Sequence, residues 1–231
     1  MIILVGNHTR KNNRVSNGPE HTLADIYLNV NMDLSGVYIV EEPRIFNFDN
    51  VMFGALPYID PVDFDSIITE YWPDIENSKM SFVFGHQEIV GSQVQPGRLS
   101  TCNAHWNENW PSFISGHIHE RHHFKNVLYV GTPMQHSLNE SVHKYIYFCS
   151  LTANNQKLDN LWKYVKATDS EPSNFYLTNN CKLYEYSTAG VPNRYFYSVH
   201  ISEIADLTNH IIKLPINYYT VLVIYKDVTD L

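Results

Sequence analysis

"SFISGHIH", residues 112 to 119, runs from a short apolar stretch through a glycine into two histidines two positions apart. The apolar stretch reads as a buried strand, and Gly116 ends it in a turn. In an extended segment His117 and His119 point to one side while Ile118 faces the core, an arrangement that suits metal ligation. The same ending recurs in "IILVGNH" at 2 to 8, "SFVFGHQ" at 81 to 87 and "VLYVGTP" at 127 to 133. If these four strands share one sheet, their ends lie about 4.8 Å apart in neighbouring positions. Asn7, His86, His117 and His119 are then expected to converge on the carboxyl rim, where α/β sheets carry their chemistry.

The segments around these strands complete an α/β pattern. Pro61 to Trp72 predicts a helix with Phe64, Ile67, Ile68 and Tyr71 on one face, Asp60 or Asp63 as its cap and Pro73 as its stop. "GVYIVEE" and "VMFGALPY" predict two further strands. "YIYFCSL", the turn "TANNQ" and "KLDNLWKYV" read as a closing hairpin, and the polar stretch Ala167 to Asn174 reads as a linker. These features place a first domain at 1–166. A small α+β unit at 167–231 follows, with strands in "RYFYSVHI" and "NYYTVLVIYK" and a helix capped by Ser202 that carries Ile204, Leu207 and Ile211.

Composition bounds the function classes. The 231 residues, 44% hydrophobic, suffice for one core plus an accessory unit. No apolar run is long enough to span a bilayer, and Met1 to Val5 lacks the features of a signal peptide, so a soluble cytoplasmic protein is expected. Three cysteines, Cys102, Cys149 and Cys181, have no ligand-like spacing and are expected as reduced packing residues. A formal charge of −8 argues against nucleic-acid binding over the whole surface. It leaves room for a local stripe, and Arg10, Lys11 and Arg14 form one. The stripe reads either as a phosphate-tracking surface or as a solvated basic turn. Of the twelve histidines, His105, His143 and His210 have no glycine-turn context and are expected to lie apart from the site.

Taken in order, "GNH", "GH", "GHxH" and "GTP" resemble the motif series of the calcineurin-like metallophosphoesterases. "SGHIHERHHFKNVLYVGTPMQHSLNE" is most similar to the SbcD-type nucleases of double-strand-break processing, including their phage versions. The resemblance covers about the first 150 residues. It implies a β-sandwich flanked by helices, followed by a cap-like DNA-binding domain. It further implies two divalent ions, usually manganese. Asn7, His86 and His117 hold one, His119 helps to hold the other, and His8 acts on the phosphate. Such ions, about 3.5 to 4 Å apart, acidify a bridging water and clamp the phosphate oxygens. The implied partners are DNA, with Arg10, Lys11 and Arg14 as binding residues, and an SMC-like ATPase of the SbcC type within a homodimeric complex. The phage versions also make a virus-encoded protein an expectation.

Two departures qualify the resemblance. Thr9 stands where the family usually has an acidic residue after the histidine. The family's Asp-x-His and Gly-Asp-x-x-Asp motifs, which precede Gly-Asn-His, have no place here, since no Asp occurs before Asp25 and no His before His8. The domain is therefore expected to lack its first βα units, one ion site to be incomplete and activity to be impaired. Asp49, Asp60 and Asp63 are the available substitutes, although their contexts suggest surface or capping roles. Two alternatives to the nuclease stay open: a phosphatase of the same superfamily acting on small molecules or phosphoproteins, and a non-catalytic binding protein on a remnant fold.

Overall fold

A computed structural model of the chain describes residues 1–9, 36–48, 51–134, 136, 140–141, 143–151, 161–170, 173–178, 181–188, 195–200 and 220–225. The chain divides into one unit of residues 1–131 and 147–186 and a second of residues 132–146 and 187–231.

The first unit is built on a six-stranded mixed sheet. Its strands are β3 (Arg44–Phe48), β4 (Val51–Leu56), β5 (Phe82–Gly85), β8 (Ser112–Ser115), β9 (His122–Phe124) and β10 (Val127–Tyr129), in the order β3-β4-β5-β8-β10-β9, while β6 (Gln93–Gln95) and β7 (Arg98–Leu99) pair apart as a short ribbon. The four central strands are parallel, and the two edge strands run antiparallel to them. Parallel strands covered on both faces need nearly continuous apolar sequence, which "FVFG" and "VLY" supply. Phe82, Val83, Phe113 and Leu128 are accordingly inaccessible to solvent.

One face of this sheet packs Val83, Phe113 and Tyr129 against Phe64, Ile68 and Trp72. Phe64 and Ile68 belong to the helix α1 (Phe64–Tyr71) and form its buried stripe, while Tyr71 is exposed and reaches Glu42 through its hydroxyl. Asp63 holds the N-cap position without a side-chain capping bond, and Asp60 instead accepts the backbone N–H of Val62. The opposite face buries Phe53, Phe82, Ile114 and Leu128 against Trp162, Tyr176, Cys181 and Leu183 of a second sheet. That sheet contains β11 (Tyr145–Leu151), β12 (Lys163–Val165), β13 (Phe175–Leu177) and β14 (Cys181–Ser187) in the order β11-β14-β13-β12. On the same face of β14 as Cys181 and Leu183, Glu185 is buried and takes Arg121 as an ion pair and the hydroxyls of Tyr147 and Tyr164 as donors, so its charge is compensated from three sides.

Three expectations are corrected here. The strand of "IILVGNH", β1 (Ile2–Leu4), does not join the others but pairs in parallel with β2 (Tyr38–Val40) in a sheet of its own. The strands expected as a closing hairpin, β11 and β12, both form but stand at opposite edges of their sheet. Their partners come later in the chain, as β13 and β14 join through a tight turn in which Thr178 N–H meets Cys181 O at 2.9 Å and insert between them. The stretch Ala167 to Asn174 consequently connects two strands of one sheet, and residues 167–186 belong with the first unit. The same pairing brings the thiols of Cys149 and Cys181 to 3.3 Å of each other.

In the second unit, β15 (Tyr195–His200) and β16 (Thr220–Tyr225) pair in parallel over six residues. These are the two strands expected from the sequence, and the helix expected after Ser202 lies outside the described residues. Lys144 and Glu140 form a buried ion pair at 2.9 Å in this unit. Among the described residues no helix is long and apolar enough to cross a membrane.

Gly85 shows how tightly the central strands are packed, because a Cβ there would lie 2.3 Å from the ring of Phe113. That ring is fully buried and has no room to retreat. Gly85→Ala is expected to lower stability by about 3 kcal/mol or more, measured as a shift of the urea unfolding midpoint at unchanged slope.

Candidate metal centre at the carboxyl rim

The parallel strands finish in one register row, since Leu56 pairs with Gly85, Gly85 with Ser115 and Ser115 with Tyr129. The residues that follow these strands therefore emerge side by side: Tyr58 after β4, His86 after β5 and His117 after β8. Asn7 reaches the same rim from the separate sheet. Val5 carbonyl accepts the Tyr58 N–H at 2.8 Å, which sets Gly6 and Asn7 next to the end of β4. Gly6 is needed for close approach, because a Cβ on it would stand 3.2 Å from His86 Nε2.

The structure brings Asn7, His86 and His117 together. His86 Nε2 faces Asn7 Oδ1 at 3.1 Å, and the rings of His86 and His117 meet edge to face with centroids 5.1 Å apart. Tyr58 stacks on the other side of His117 at 5.6 Å. The two histidine loops are locked to each other by Ser115. Its hydroxyl accepts the N–H groups of Gln87 at 3.1 Å and His117 at 3.3 Å and donates to the Gln87 carbonyl at 2.8 Å. Gln87 is wholly buried, and its side-chain oxygen accepts the Ile59 N–H at 3.1 Å, which ties in the loop after β4. On the far side Tyr129 anchors the same segment, its hydroxyl accepting the Ile89 N–H at 2.9 Å and donating to Ser92.

Electrostatics keep the two half-buried imidazoles neutral. The pKa of His86 falls from the usual 6.5 to about 4, first because burial disfavours the cation and then because His117, His8 and His119 oppose it. His117 falls likewise to about 4, through burial and then through His119 and His8. Both rings thus present neutral nitrogen near neutral pH, the form that binds metals. His8, in the short 3₁₀ turn Asn7–Thr9, and His119 are exposed beside this pair, and Ile118 is buried between His117 and His119.

Other sequence expectations fall elsewhere. His105 pairs instead with Asp65 at 2.9 Å, and His143 is an exposed residue of the second unit. Arg10, Lys11, Arg14, Asp25, Asp49 and His210 lie outside the described residues. Asp60 and Asp63 serve the approach to α1. The sequence reading did not single out Glu88, whose Oε2 lies 3.8 Å from His117 Nε2, or Tyr58. Alternation was the available signal for Glu88: it stands two residues beyond His86, with the buried Gln87 between them.

The residues fit one divalent cation in three respects. Two donors bound at about 2.1 Å and roughly at right angles are about 3 Å apart, which matches the Asn7–His86 separation. His117 Nδ1 is buried without a hydrogen-bond partner. Imidazole nitrogen and amide oxygen suit manganese, iron or zinc. Among the described residues no three His, Cys, Asp or Glu side chains stand in metal-binding geometry.

The depressed pKa values carry a consequence for metal-free protein. Between pH 6.5 and about 4 the unfolded chain protonates both imidazoles while the folded chain resists, so stability falls as the pH is lowered through that window. Each ring accounts for roughly 2 to 3 kcal/mol at the acid end. In chelator-treated samples, urea titrations from pH 7 to 4 are expected to show a shallower acid slope for His117→Gln, by about one proton.

No family model matches the chain. It is 32% identical over 145 residues to "Putative phosphoesterase 244L" of Invertebrate iridescent virus 6, a match covering 60% of this chain and 47% of that protein. It is 32% identical over 143 residues to "Putative phosphoesterase 078R" of Invertebrate iridescent virus 3, covering 61% and 39%. The match spans less than half the length of either relative. In sequence the chain is thus similar to viral proteins named as phosphoesterases, which agrees with a hydrolase of phosphate esters.

Proposed function

We propose that the protein is a metal-dependent phosphoesterase whose substrate is the phosphodiester backbone of DNA, a nuclease of the SbcD type. The observation that carries the hydrolase class is the set of Asn7 Oδ1, His86 Nε2 and the unpartnered His117 Nδ1 at the carboxyl rim. The viral relatives support the same class. The choice of DNA rests on the motif series from "GNH" to "GTP" and on Arg10, Lys11 and Arg14 in the sequence after the first loop.

In this reading Asn7, His86 and His117 hold one ion, for which Mn²⁺ is the first choice, and His119 contributes to a second. A bound divalent ion acidifies water and draws charge from the phosphate. The chain's own part is positional. Ser115 and Gln87 hold the two half-buried imidazoles at a fixed separation, and desolvation keeps them deprotonated. His8 is exposed at the lip, where its ring can give a proton to the departing oxygen. An SbcC-type ATPase and a second copy of the chain are the proposed partners, and a virus-infected cytoplasm the proposed setting.

The test combines binding and hydrolysis. Calorimetry with Mn²⁺ is expected to show one weakly bound equivalent, since three neutral donors bring no negative charge, and His117→Ala to abolish it. Gel shifts with free duplex ends should weaken linearly in log salt and survive His117→Ala. Cleavage of duplex DNA, slow but Mn²⁺-dependent, is expected to drop roughly 10³-fold in that variant. Hydrolysis of p-nitrophenyl phosphate in preference to DNA would favour the small-molecule phosphatase instead.

A further inference from the structure

Glu88 is an acidic side chain in ion-pair contact with a histidine of the candidate centre. Its Oε2 stands 3.8 Å from His117 Nε2, and both side chains are largely screened from solvent, at 30% and 18% exposure. The carboxylate is held in place. Ser100 donates its hydroxyl to Glu88 Oε1 at 2.5 Å, and the Glu88 carbonyl takes the Cys102 thiol at 3.4 Å. Ser100 itself is buried and its N–H bonds back to Ser92 O at 2.7 Å, within the loop that Tyr129 anchors. A carboxylate fixed in this way has a directional effect on the ring beside it.

A neutral imidazole carries its proton on one nitrogen only. With the proton on Nδ1, His117 would bury a donor that has no acceptor and turn a lone pair on Nε2 toward a carboxylate. Both features are unfavourable. With the proton on Nε2, the N–H dipole points at Glu88 and the lone pair on Nδ1 is directed into the buried position that lacks a partner. At 3.8 Å the contact is longer than a hydrogen bond, so the preference is electrostatic.

We infer that Glu88 is a positioning residue: it fixes His117 in the Nε2–H tautomer, so that Nδ1 is the nitrogen offered to a cation, and it supplies a negative charge behind a ligand set that has none. The inference rests on the metal-centre reading of Asn7, His86 and His117. Histidine ligands commonly give their second nitrogen to a carboxylate, and loss of that partner weakens metal binding about 10- to 100-fold.

The experiment separates the two readings. Imidazole ¹⁵N shifts of metal-free protein, with His117 identified by its loss in His117→Ala, report the tautomer directly. Calorimetry with Mn²⁺ reports the affinity. Wild type is expected to show Nε2–H at His117, and Glu88→Ala a mixture of tautomers with affinity lowered 10- to 100-fold. Glu88→Gln removes the charge at nearly constant size, so it should likewise loosen the tautomer preference and lose affinity. It also serves if the alanine variant fails to fold. An Nδ1–H tautomer in wild type, or unchanged tautomer and affinity in both variants, overturns the role of Glu88 while leaving the metal centre standing. Absence of Mn²⁺ binding in wild type overturns the metal centre, and the tautomer shifts still decide whether Glu88 governs His117.

Discussion

The site depends on one buried hydroxyl. Ser115 is the last residue of its strand, and its side chain bonds the backbone of Gln87 on both sides and the N–H of His117. Without it, the segments after β5 and β8 would be two loops whose imidazoles happened to be close. With it, they are one rigid corner. The energy behind this is considerable, because the Gln87 and His117 N–H groups would otherwise be buried unsatisfied, at about 1 to 3 kcal/mol each. The corner in turn needs the sheet: only parallel strands ending in one row deliver Gly85 and Ser115 as neighbours.

The hydrophobic core and this polar corner are therefore parts of the same construction. Phe113, under Gly85, fills the space that permits β5 and β8 to pair closely, and Tyr129, from the next strand, sends its hydroxyl up to the Ile89 N–H. A core tyrosine and a core phenylalanine thus hold the loop that carries His86 as firmly as any side chain in the loop itself. Burial that serves packing also lowers the pKa of His86 and His117, so stability and ligand chemistry draw on the same desolvation.

Local pattern made much of this legible. Each of the four apolar runs ending in glycine forms a strand, and the rim residues Asn7, His86 and His117 follow from that ending alone. Pairings between distant segments were not legible. Nothing in "IILVGNH" distinguishes a strand of the main sheet from one paired only with Tyr38–Val40, and nothing in "YIYFCSL" shows that β14 will stand beside it. Ser115 and Glu88 escaped notice for a different reason. Serine inside an apolar strand and glutamate beyond a histidine are common, and their value here comes from partners 28 and 29 residues away in sequence, Gln87 and His117. The stretch Ala167 to Asn174 read as a linker because a polar connection between two strands of one sheet has the same composition.

The common row in which the central strands end has a consequence for how this molecule can diversify. His86 and His117 lie one or two residues past their strands, so lengthening the chain further along those loops leaves their anchoring untouched. His8 and His119, one residue further out than Asn7 and two than His117, are already exposed and outside that anchoring. The anchoring of the corner and the exposure of the loop tips are thus set by different parts of the chain. The loop tips beyond His86 and His117 can therefore change in length and sequence while the corner built on Ser115 keeps its bonds.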